Sequence, residues 1–546
     1  MGHPKSHSRR VVYNGGGLIV LEVTLKWTNN KVHLCYLWWT TLMAKRTSSF
    51  ELVIPARGAA ASAHDWVFAA LRAGIVEGRL RPGMRLASTR ELAKQYGLAR
   101  GTVVNAFDQL KAEGYIEGSV GSGTYVSKVL PDELLEVARK ADAGPAARGQ
   151  VKAPLSDYGR RVQLFGNLEA RPSRAFRVNM PALDLFPTTL WAQVGARRLR
   201  SASMKLLVGC DPMGHMPLRQ AVASYLSTSR GVRCEAGQVA IISGVQEALD
   251  LTARLLLNPG DRVCMEEPGY PGAAMVFRAA GARVSALPVD EEGMTLRREA
   301  MRGARLVYLT PGHQFPLGVT MSLARRLQLL DWAAKTGALI LEDDYDSEYR
   351  YIGRPVPALQ GLDRRGLVLF TGSFSKVLFP SLRLGYLVVP AGLVDKISAM
   401  ISVTSRHGPL LEQAILCDFI TEGHFGRHLR RMRQVYAERH SVLQEGAREK
   451  LGGLIEIIGI EAGLQTAAWM SCGLTGEAAA AAASRRNVEV TSLGEYYQGG
   501  VSREGLHLGF AAVDAREIRR GVKELATALE SAVGAGARGS KTREAE

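Results

Sequence analysis

Apolar residues over 62–78 are spaced as a helix needs, with Trp66, Phe68, Leu71 and Ile75 on its inner side, and Arg81-Pro82-Gly83 reads as the turn that follows. Ser88-Thr89-Arg90-Glu91 opens a second, short helix. Ser88 can cap its first free N–H groups, and Glu91 stands at capping-box spacing. Gly97 breaks that helix. A third runs from about Arg100 to Glu113 and stops at Gly114. The period then changes, and Tyr115-Ile116-Glu117 and Thr124-Tyr125-Val126 read as two short strands joined by a tight loop from Gly118 to Gly123. Three helices followed by a small hairpin describe a winged helix-turn-helix.

From about residue 129 to 172 the apolar periodicity lapses into Ala, Arg, Gly and Pro, which predicts a linker, partly helical near Asp132 to Arg139. Beyond 173 strand-like apolar runs alternate with helical stretches: Val239 to Ile242, Arg262 to Met265, Leu306 to Leu309, Ala338 to Leu341, Leu367 to Phe370 and Leu384 to Val389. That alternation predicts an α/β domain over 173–535 with a mostly parallel central sheet. The Ala-rich run Glu477 to Ala483 reads as a helix, Ala being the best helix former. Residues 536–546 read as a disordered tail.

Charge sharpens this division. The 546-residue chain carries a formal net charge of +17, and residues 1–128 hold 17 Lys and Arg against 8 Asp and Glu, which favours an anionic partner such as nucleic acid. The six cysteines, Cys35, Cys210, Cys234, Cys264, Cys417 and Cys472, show no metal-ligand spacing, so reduced thiols and no metal site are expected. Gly16 to Leu25 is apolar, but it is too short to span a membrane and is interrupted by Glu22. Residues 1–42 fit nothing downstream, and Met43-Ala44-Lys45-Arg46 reads like a natural start. Residues 1–55 are therefore expected to be a non-native or disordered extension before a DNA-reading domain at 56–128.

In a helix-turn-helix the early residues of the second helix face base edges in the major groove. Arg100 and Thr102 hold that place. Arg90, opening the preceding helix, can meet a phosphate or a guanine edge, and the Gly121-Ser122-Gly123 tip allows close backbone approach to the neighbouring groove. The bland alternative is a small stabilising subdomain.

In the second half, Lys376 lies in Ser373-Phe374-Ser375-Lys376, between an apolar strand and Phe379-Pro380. Desolvation there would lower its pKa and free the amine for a Schiff base with an aldehyde cofactor. Five features converge on the same ligand. Glu342-Asp343-Asp344-Tyr345 follows a strand, where Asp343 can pair with a pyridinium nitrogen and Tyr345 with a phenolic oxygen. Ser243-Gly244-Val245-Gln246 precedes a helix near Glu247, a phosphate cradle of backbone N–H groups. Arg383 and Ser373 can hold the same phosphate, and Tyr270 can present an aromatic face.

The strings Arg79-Leu-Arg-Pro-Gly-Met-Arg-Leu-Ala-Ser-Thr-Arg-Glu-Leu-Ala93 and Gly121-Ser-Gly-Thr-Tyr125 resemble a GntR-type DNA-binding domain. Pro311-Gly-His-Gln-Phe-Pro-Leu-Gly-Val-Thr320, Glu342-Asp-Asp-Tyr-Asp-Ser-Glu-Tyr-Arg-Tyr351 and Ser373-Phe-Ser-Lys-Val-Leu-Phe-Pro-Ser-Leu-Arg-Leu-Gly-Tyr386 resemble fold-type I aminotransferases, and more closely the MocR subfamily of GntR-type regulators. The resemblance, over about residues 56–535, implies a winged helix-turn-helix fused to a fold-type I transferase domain with a smaller C-terminal α+β part. It implies DNA contacts from Arg90, Arg100, Thr102 and Gly121, and pyridoxal 5'-phosphate held by Val245, Gln246, Tyr270, Asp343, Tyr345, Ser373, Lys376 and Arg383. It further implies a cytoplasmic head-to-tail homodimer that binds an operator duplex and an amino-compound effector.

The chain departs from the family pattern at several positions. Ala87 replaces the usual Pro, and Ala99 a hydroxyl-bearing cap, a loss of about 1 kcal/mol. Phe315 stands where aminotransferases carry Asn, leaving Tyr345 to bond the phenolic oxygen with His313 or Gln314 near. Gly209 replaces a Tyr before Cys210-Asp211-Pro212, and Pro271-Gly272-Ala273-Ala274 offers no cation for an effector carboxylate. Arg503 is one candidate for that role, a solvated loop charge being the alternative. Two functions therefore compete: a ligand-responsive regulator, and an aminotransferase of amino and 2-oxo acids with a vestigial DNA-binding domain. A structural protein with a dead site is a third class.

Overall fold

Ser88 and Glu91 form the capping box their spacing predicts. The Ser88 Oγ accepts from the Glu91 N–H at 3.2 Å, and the Glu91 carboxylate accepts from the Ser88 N–H at 2.8 Å. They open α2 (Thr89–Gln95), which stands between α1 (Ala63–Val76) and α3 (Arg100–Ala112) in the computed structural model of the chain. The structure describes residues 62–119, 123–129, 154–166, 172–351, 353 and 356–543. It divides into two units, Met1–Val151 and Lys152–Glu546.

In the first unit, Gly97 at φ 63° and Gly114 at φ 81° end the second and third helices in left-handed conformations that cost glycine little. β1 (Ile116–Ser119) pairs antiparallel with β2 (Gly123–Val126), in the register Ile116 opposite Val126. Val67, Leu71, Ile75, Leu92, Val103, Phe107, Leu110, Ile116 and Val126 close one core, with Trp66 and Phe68 partly buried at its margin. Arg72 donates through Nε to the Tyr115 hydroxyl at 2.9 Å and so ties α1 to the start of the hairpin.

Several expectations fall outside the described residues: the extension at 1–55 with Gly16–Leu25 and Met43, the loop tip with Gly121, and the helical stretch near Asp132 to Arg139. Part of the expected linker is described. Residues 154–166 hold a short helix, Asp157–Arg161, and belong to the second unit. Arg161 Nε donates to the Ala279 carbonyl at 3.1 Å, and the Phe165 ring meets Tyr270 edge-on at 5.9 Å. Two isolated anchors produce no sequence period, which is why the stretch reads as unattached.

The second unit is built on an eight-stranded sheet of β3 (Val239–Ile242), β4 (Arg262–Glu267), β5 (Arg283–Asp290), β6 (Gly293–Met294), β7 (Ala304–Leu309), β8 (Leu339–Asp344), β9 (Val368–Ser373) and β10 (Gly385–Val388). Its order is β3-β10-β9-β8-β7-β4-β5-β6. It is mostly parallel: β10 runs antiparallel to both neighbours and the short β6 antiparallel to β5. Helices cover both faces, so β3 is buried at every position. A smaller antiparallel sheet follows, with β11 (Ile455–Ile457), β12 (Gln465–Met470), β13 (Thr491–Ser492) and β14 (Gly505–Gly509) in the order β11-β12-β14-β13. It packs with helix Gly476–Ser484, over the expected Ala-rich run, and that helix packs in turn on the closing helix Ala515–Arg543. That closing helix runs past residue 535, where a tail was expected, because no proline interrupts it.

Two boundaries differ in ways that matter for chemistry. The helix after β3 begins at Val245 rather than near Glu247, since Gly244 at φ 110° makes the turn. β8 runs on through Asp344 instead of ending at Leu341, so its three acids are strand residues. Each has a partner that offsets its burial: Glu342 accepts from the Leu359 and Gln360 N–H groups at 2.9 and 2.8 Å, Asp343 from the Tyr308 hydroxyl at 2.7 Å, and Asp344 from Arg230 Nε at 2.6 Å. Among the described residues no helix is long and apolar enough to cross a membrane.

Candidate functional site

β9 delivers Lys376. The strand ends at Ser373, and the helical turn Phe374–Val377 that follows places the lysine at the carboxyl end of the parallel strands, where such sheets bind ligands. Its Nζ donates to the Asn179 carbonyl at 3.0 Å. Burial pushes this amine down to about 8, against the pull of Asp346 and Asp343 and with the help of Arg383. An amine so placed is neutral in a useful fraction near neutral pH and is a nucleophile.

Asp343 lies on the neighbouring strand β8. One carboxylate oxygen is held by Tyr308, while Oδ1 is buried without a hydrogen-bond partner. Burial pushes its carboxyl up to about 7, with Tyr308 opposing. Tyr345 follows the same strand. Its hydroxyl is 3.1 Å from His313 Nδ1, which in turn is 2.7 Å from Asp346 Oδ1. His313 is thus near Tyr345, as the sequence suggested. Gln314 turns elsewhere, donating to the Pro268 carbonyl at 2.8 Å and accepting from the Leu317 N–H at 3.0 Å.

Gly244, Val245 and Gln246 form the start of helix Val245–Leu256, and the first N–H groups of a helix are a geometry that suits an anion. A Cβ on Gly244 would lie 3.5 Å from Arg383 Nη2, so the guanidinium stands directly beside that turn. Ser373 Oγ accepts from the Ser375 N–H at 3.2 Å, while the Ser375 hydroxyl is buried without a partner. Gln246 Nε2 donates to the Tyr270 hydroxyl at 2.8 Å, and the Tyr270 ring is edge-on to Phe315 at 5.6 Å.

The departures from the family pattern have definite places. Phe315 fills an aromatic box, 5.8 Å from Tyr345, 5.1 Å from Tyr496 and 5.4 Å from His507. Gly209, at φ 145°, leaves 3.2 Å between its missing Cβ and His407 Nε2. Arg503 lies over the Trp469 ring at 4.3 Å and 3.5 Å from Glu456, an exposed pair. Sequence reasoning missed Asn179, Asp346, Ser375 and Gln465. Ser375 was visible inside its motif. Asn179 and Gln465 carry no local signal, and only folding joins them: the Gln465 Oε1 accepts from the Asn179 N–H at 2.7 Å.

In the first unit Arg90 and Arg100 are exposed, one in the first turn of α2 and one opening α3, while Thr102 is half-buried. Ala99 caps α3 with no side-chain hydrogen bond.

Residues 64–126 match the model for bacterial regulatory proteins of the gntR family, and residues 177–525 that for aminotransferase class I and II. The chain is 40% identical over 476 residues to a probable rhizopine catabolism regulatory protein, MocR, of Rhizobium meliloti, covering 87% of this chain and 95% of that one. It is 35% identical over 381 residues to the HTH-type transcriptional regulator TauR of Rhodobacter capsulatus, covering 69% of this chain and 78% of that one. Among solved structures it is similar to LysN, the alpha-aminoadipate aminotransferase of Thermus thermophilus complexed with N-(5'-phosphopyridoxyl)-L-leucine. The TM-score is 0.61 and the identity 31%, over 66% of this chain and 92% of that one. Both halves occur in one chain, in the order found in relatives that it matches over most of their length, and the chain belongs to the MocR subfamily of GntR-type transcription regulators, a winged helix-turn-helix joined to a fold-type I aminotransferase-like domain.

Proposed function

We propose that this protein is a DNA-binding transcription regulator whose large domain holds pyridoxal 5'-phosphate on Lys376 and responds to a small amino compound. One observation carries the reading: a half-buried lysine with a lowered amine pKa feels the charge of a buried carboxylate with an unpaired oxygen, Asp343, and of the Arg383 guanidinium that faces the Gly244 turn. The residues fit the cofactor. The Gly244 turn with Val245, Gln246 and Arg383 suits a phosphate, Ser373 and Ser375 offer hydroxyls to it, and Asp343 Oδ1 suits a protonated ring nitrogen. Bound there, the cofactor supplies an aldehyde carbon for amines and an electron-withdrawing ring.

The chain's own residues do the rest. Asp343 would hold a proton on the ring nitrogen, Tyr345 would donate to the ring oxygen, Tyr270 would flank the ring, and Lys376 would supply the amine that anchors the aldehyde. In the small domain Arg100 and Thr102 reach base edges, Arg90 meets the backbone or a guanine, and the loop at Gly121 enters the adjacent groove. The reading includes a head-to-tail homodimer in the cytoplasm.

The test has two arms on the full chain. Adding pyridoxal phosphate is expected to produce a visible absorption band that amines perturb, and the protein is expected to retard its own promoter duplex. No band, or no duplex binding at low salt, overturns the reading. A second reading, a working aminotransferase, is favoured by the full set of Lys376, Asp343, Tyr345 and Arg383. Turnover of an amino donor and a 2-oxo acid at roughly 1 per second or more, a rate typical of enzymes, would support it.

A further inference from the structure

We propose that Asp346 and His313 are positioning residues that fix the His313 tautomer and thereby leave the Tyr345 hydroxyl as a donor for the ring oxygen of the cofactor. The inference rests on the Lys376 pocket holding pyridoxal phosphate.

Asp346 is fully buried. Its Oδ2 accepts from the Leu464 N–H at 3.1 Å and its Oδ1 lies 2.7 Å from His313 Nδ1. An ionised carboxylate only accepts, so Nδ1 carries the imidazole proton. The other nitrogen agrees. His313 Nε2 is buried without a partner, and a lone pair left unpaired costs less than a buried N–H with no acceptor.

The ring is held where it is. Gly318 at φ 78° and Gly463 at φ 103° close on it, and a Cβ would stand 3.0 Å from Nε2 at the first and 2.1 Å from Cε1 at the second. The imidazole occupies space that only glycines at both positions leave open.

The consequence falls on Tyr345. Its hydroxyl is 3.1 Å from the same Nδ1, which already bears a proton committed to Asp346 and cannot take another. Gln465 is the second neighbour. Its Oε1 accepts from the Asn179 N–H at 2.7 Å and its Nε2 donates to the Asn179 Oδ1 at 3.4 Å, while its hydrogen bond to Tyr345 pulls the phenol down against burial, as a donor to the tyrosine oxygen does. Neither neighbour accepts from the hydroxyl, so the phenolic proton stays available. Phe315 stands where an Asn would give a second donor, and its ring, 5.8 Å from Tyr345, has none to give. Tyr345 therefore carries the contact alone, and its orientation depends on the Asp346–His313 pair.

The measurement is a pH titration of the visible band of the cofactor-loaded protein. Losing a donor to the ring oxygen strengthens the hold of that oxygen on the nearby Schiff-base proton and moves the midpoint upward. The charged groups facing the site are kept in every variant of the series: Asp346, Asp343 and Glu266 toward Tyr345, and Asp346, Asp343 and Arg383 toward Lys376.

In His313→Ala the charge of Asp346, which helps hold a proton on the Lys376 nitrogen, is kept, and its Oδ1, freed of the imidazole, can accept from the Tyr345 hydroxyl. The phenolic proton is then drawn to Asp346 and away from the ring oxygen of the cofactor. The midpoint is expected to rise by about one pH unit, close to the rise in Tyr345→Phe. Combining the two substitutions is expected to add nothing. Should His313→Ala leave too large a hole to fold, His313→Leu serves, since it too leaves Asp346 free to accept from Tyr345 and the same upward shift is expected. An unchanged midpoint in the single variants, or an equal shift in the Tyr345→Phe background, overturns the inference, because a merely structural role would not depend on Tyr345. If the wild-type protein gives no visible band, the cofactor reading itself fails, and with it this inference.

Discussion

The helix-turn-helix and the Lys376 site solve opposite problems. The first needs cations in water. Its core residues lie within one continuous stretch from Val67 to Val126, and Arg90 and Arg100 stay exposed at helix starts. The second needs charges out of water. Its partners come from Asn179, Gly244, Asp343, Arg383 and Gln465, on separate elements, and burial rather than proximity in sequence sets their behaviour. Surface recognition can be written locally, whereas a perturbed amine needs a folded interior to exclude water.

The sharpest way to separate the two regions is Lys376→Ala. The visible band of the loaded protein is expected to vanish completely, together with its response to amines, while duplex retardation in a gel shift persists. A loss of both together would break the comparison.

The titration behaviour of the two regions should also carry opposite signs. In the large unit burial pushes Asp343 and Glu266 up to about 7, so the folded state binds extra protons between the ordinary carboxylate value and that point. Stability of the cofactor-free large unit is then expected to fall as pH rises from about 4 to about 7. In the small unit Ser62 holds Asp65 low and Ser88 holds Glu91 low, so that contribution is present at neutral pH and is lost as pH falls. Asp343→Asn in the cofactor-free protein is expected to stabilise the large unit at pH 8 by on the order of 2–4 kcal/mol and to flatten its pH slope, read as the shift of its thermal transition. A steeper slope in the variant would contradict the burial argument.

Smaller effects test the exposed side. Arg100→Ala is expected to cost about 1–3 kcal/mol of specific duplex binding and to relax preference at one base position, measured by competition gel shifts. Ala99→Ser supplies the hydroxyl that α3 lacks and is expected to add about 1 kcal/mol to the small unit, seen as a higher melting temperature.

Some of this was legible in the chain alone. The capping box at Ser88 and Glu91, the glycine stops at Gly97 and Gly114, and the presence of the hairpin depend on contacts a few residues apart, although its strands reach into the expected loop, to Ser119 and from Gly123. The Lys376 motif was legible because a lysine beside a buried strand has few other uses. The boundary of β8 was not. Apolar patterning ends at Leu341, and only Leu359, Tyr308 and Arg230, brought in from elsewhere, make Glu342, Asp343 and Asp344 tolerable inside a sheet.

The sequence by itself determined the two-part architecture, the basic reading head and the identity of the lysine, because period, caps and motif spacing act over short range. The tertiary structure decided what surrounds that lysine: the Asn179 carbonyl on its amine, the unpaired oxygen of Asp343, the packing of Phe315, and the Asp346–His313 pair behind Tyr345. Desolvation and hydrogen-bond direction are properties of groups that meet only after folding, and no local pattern encodes them.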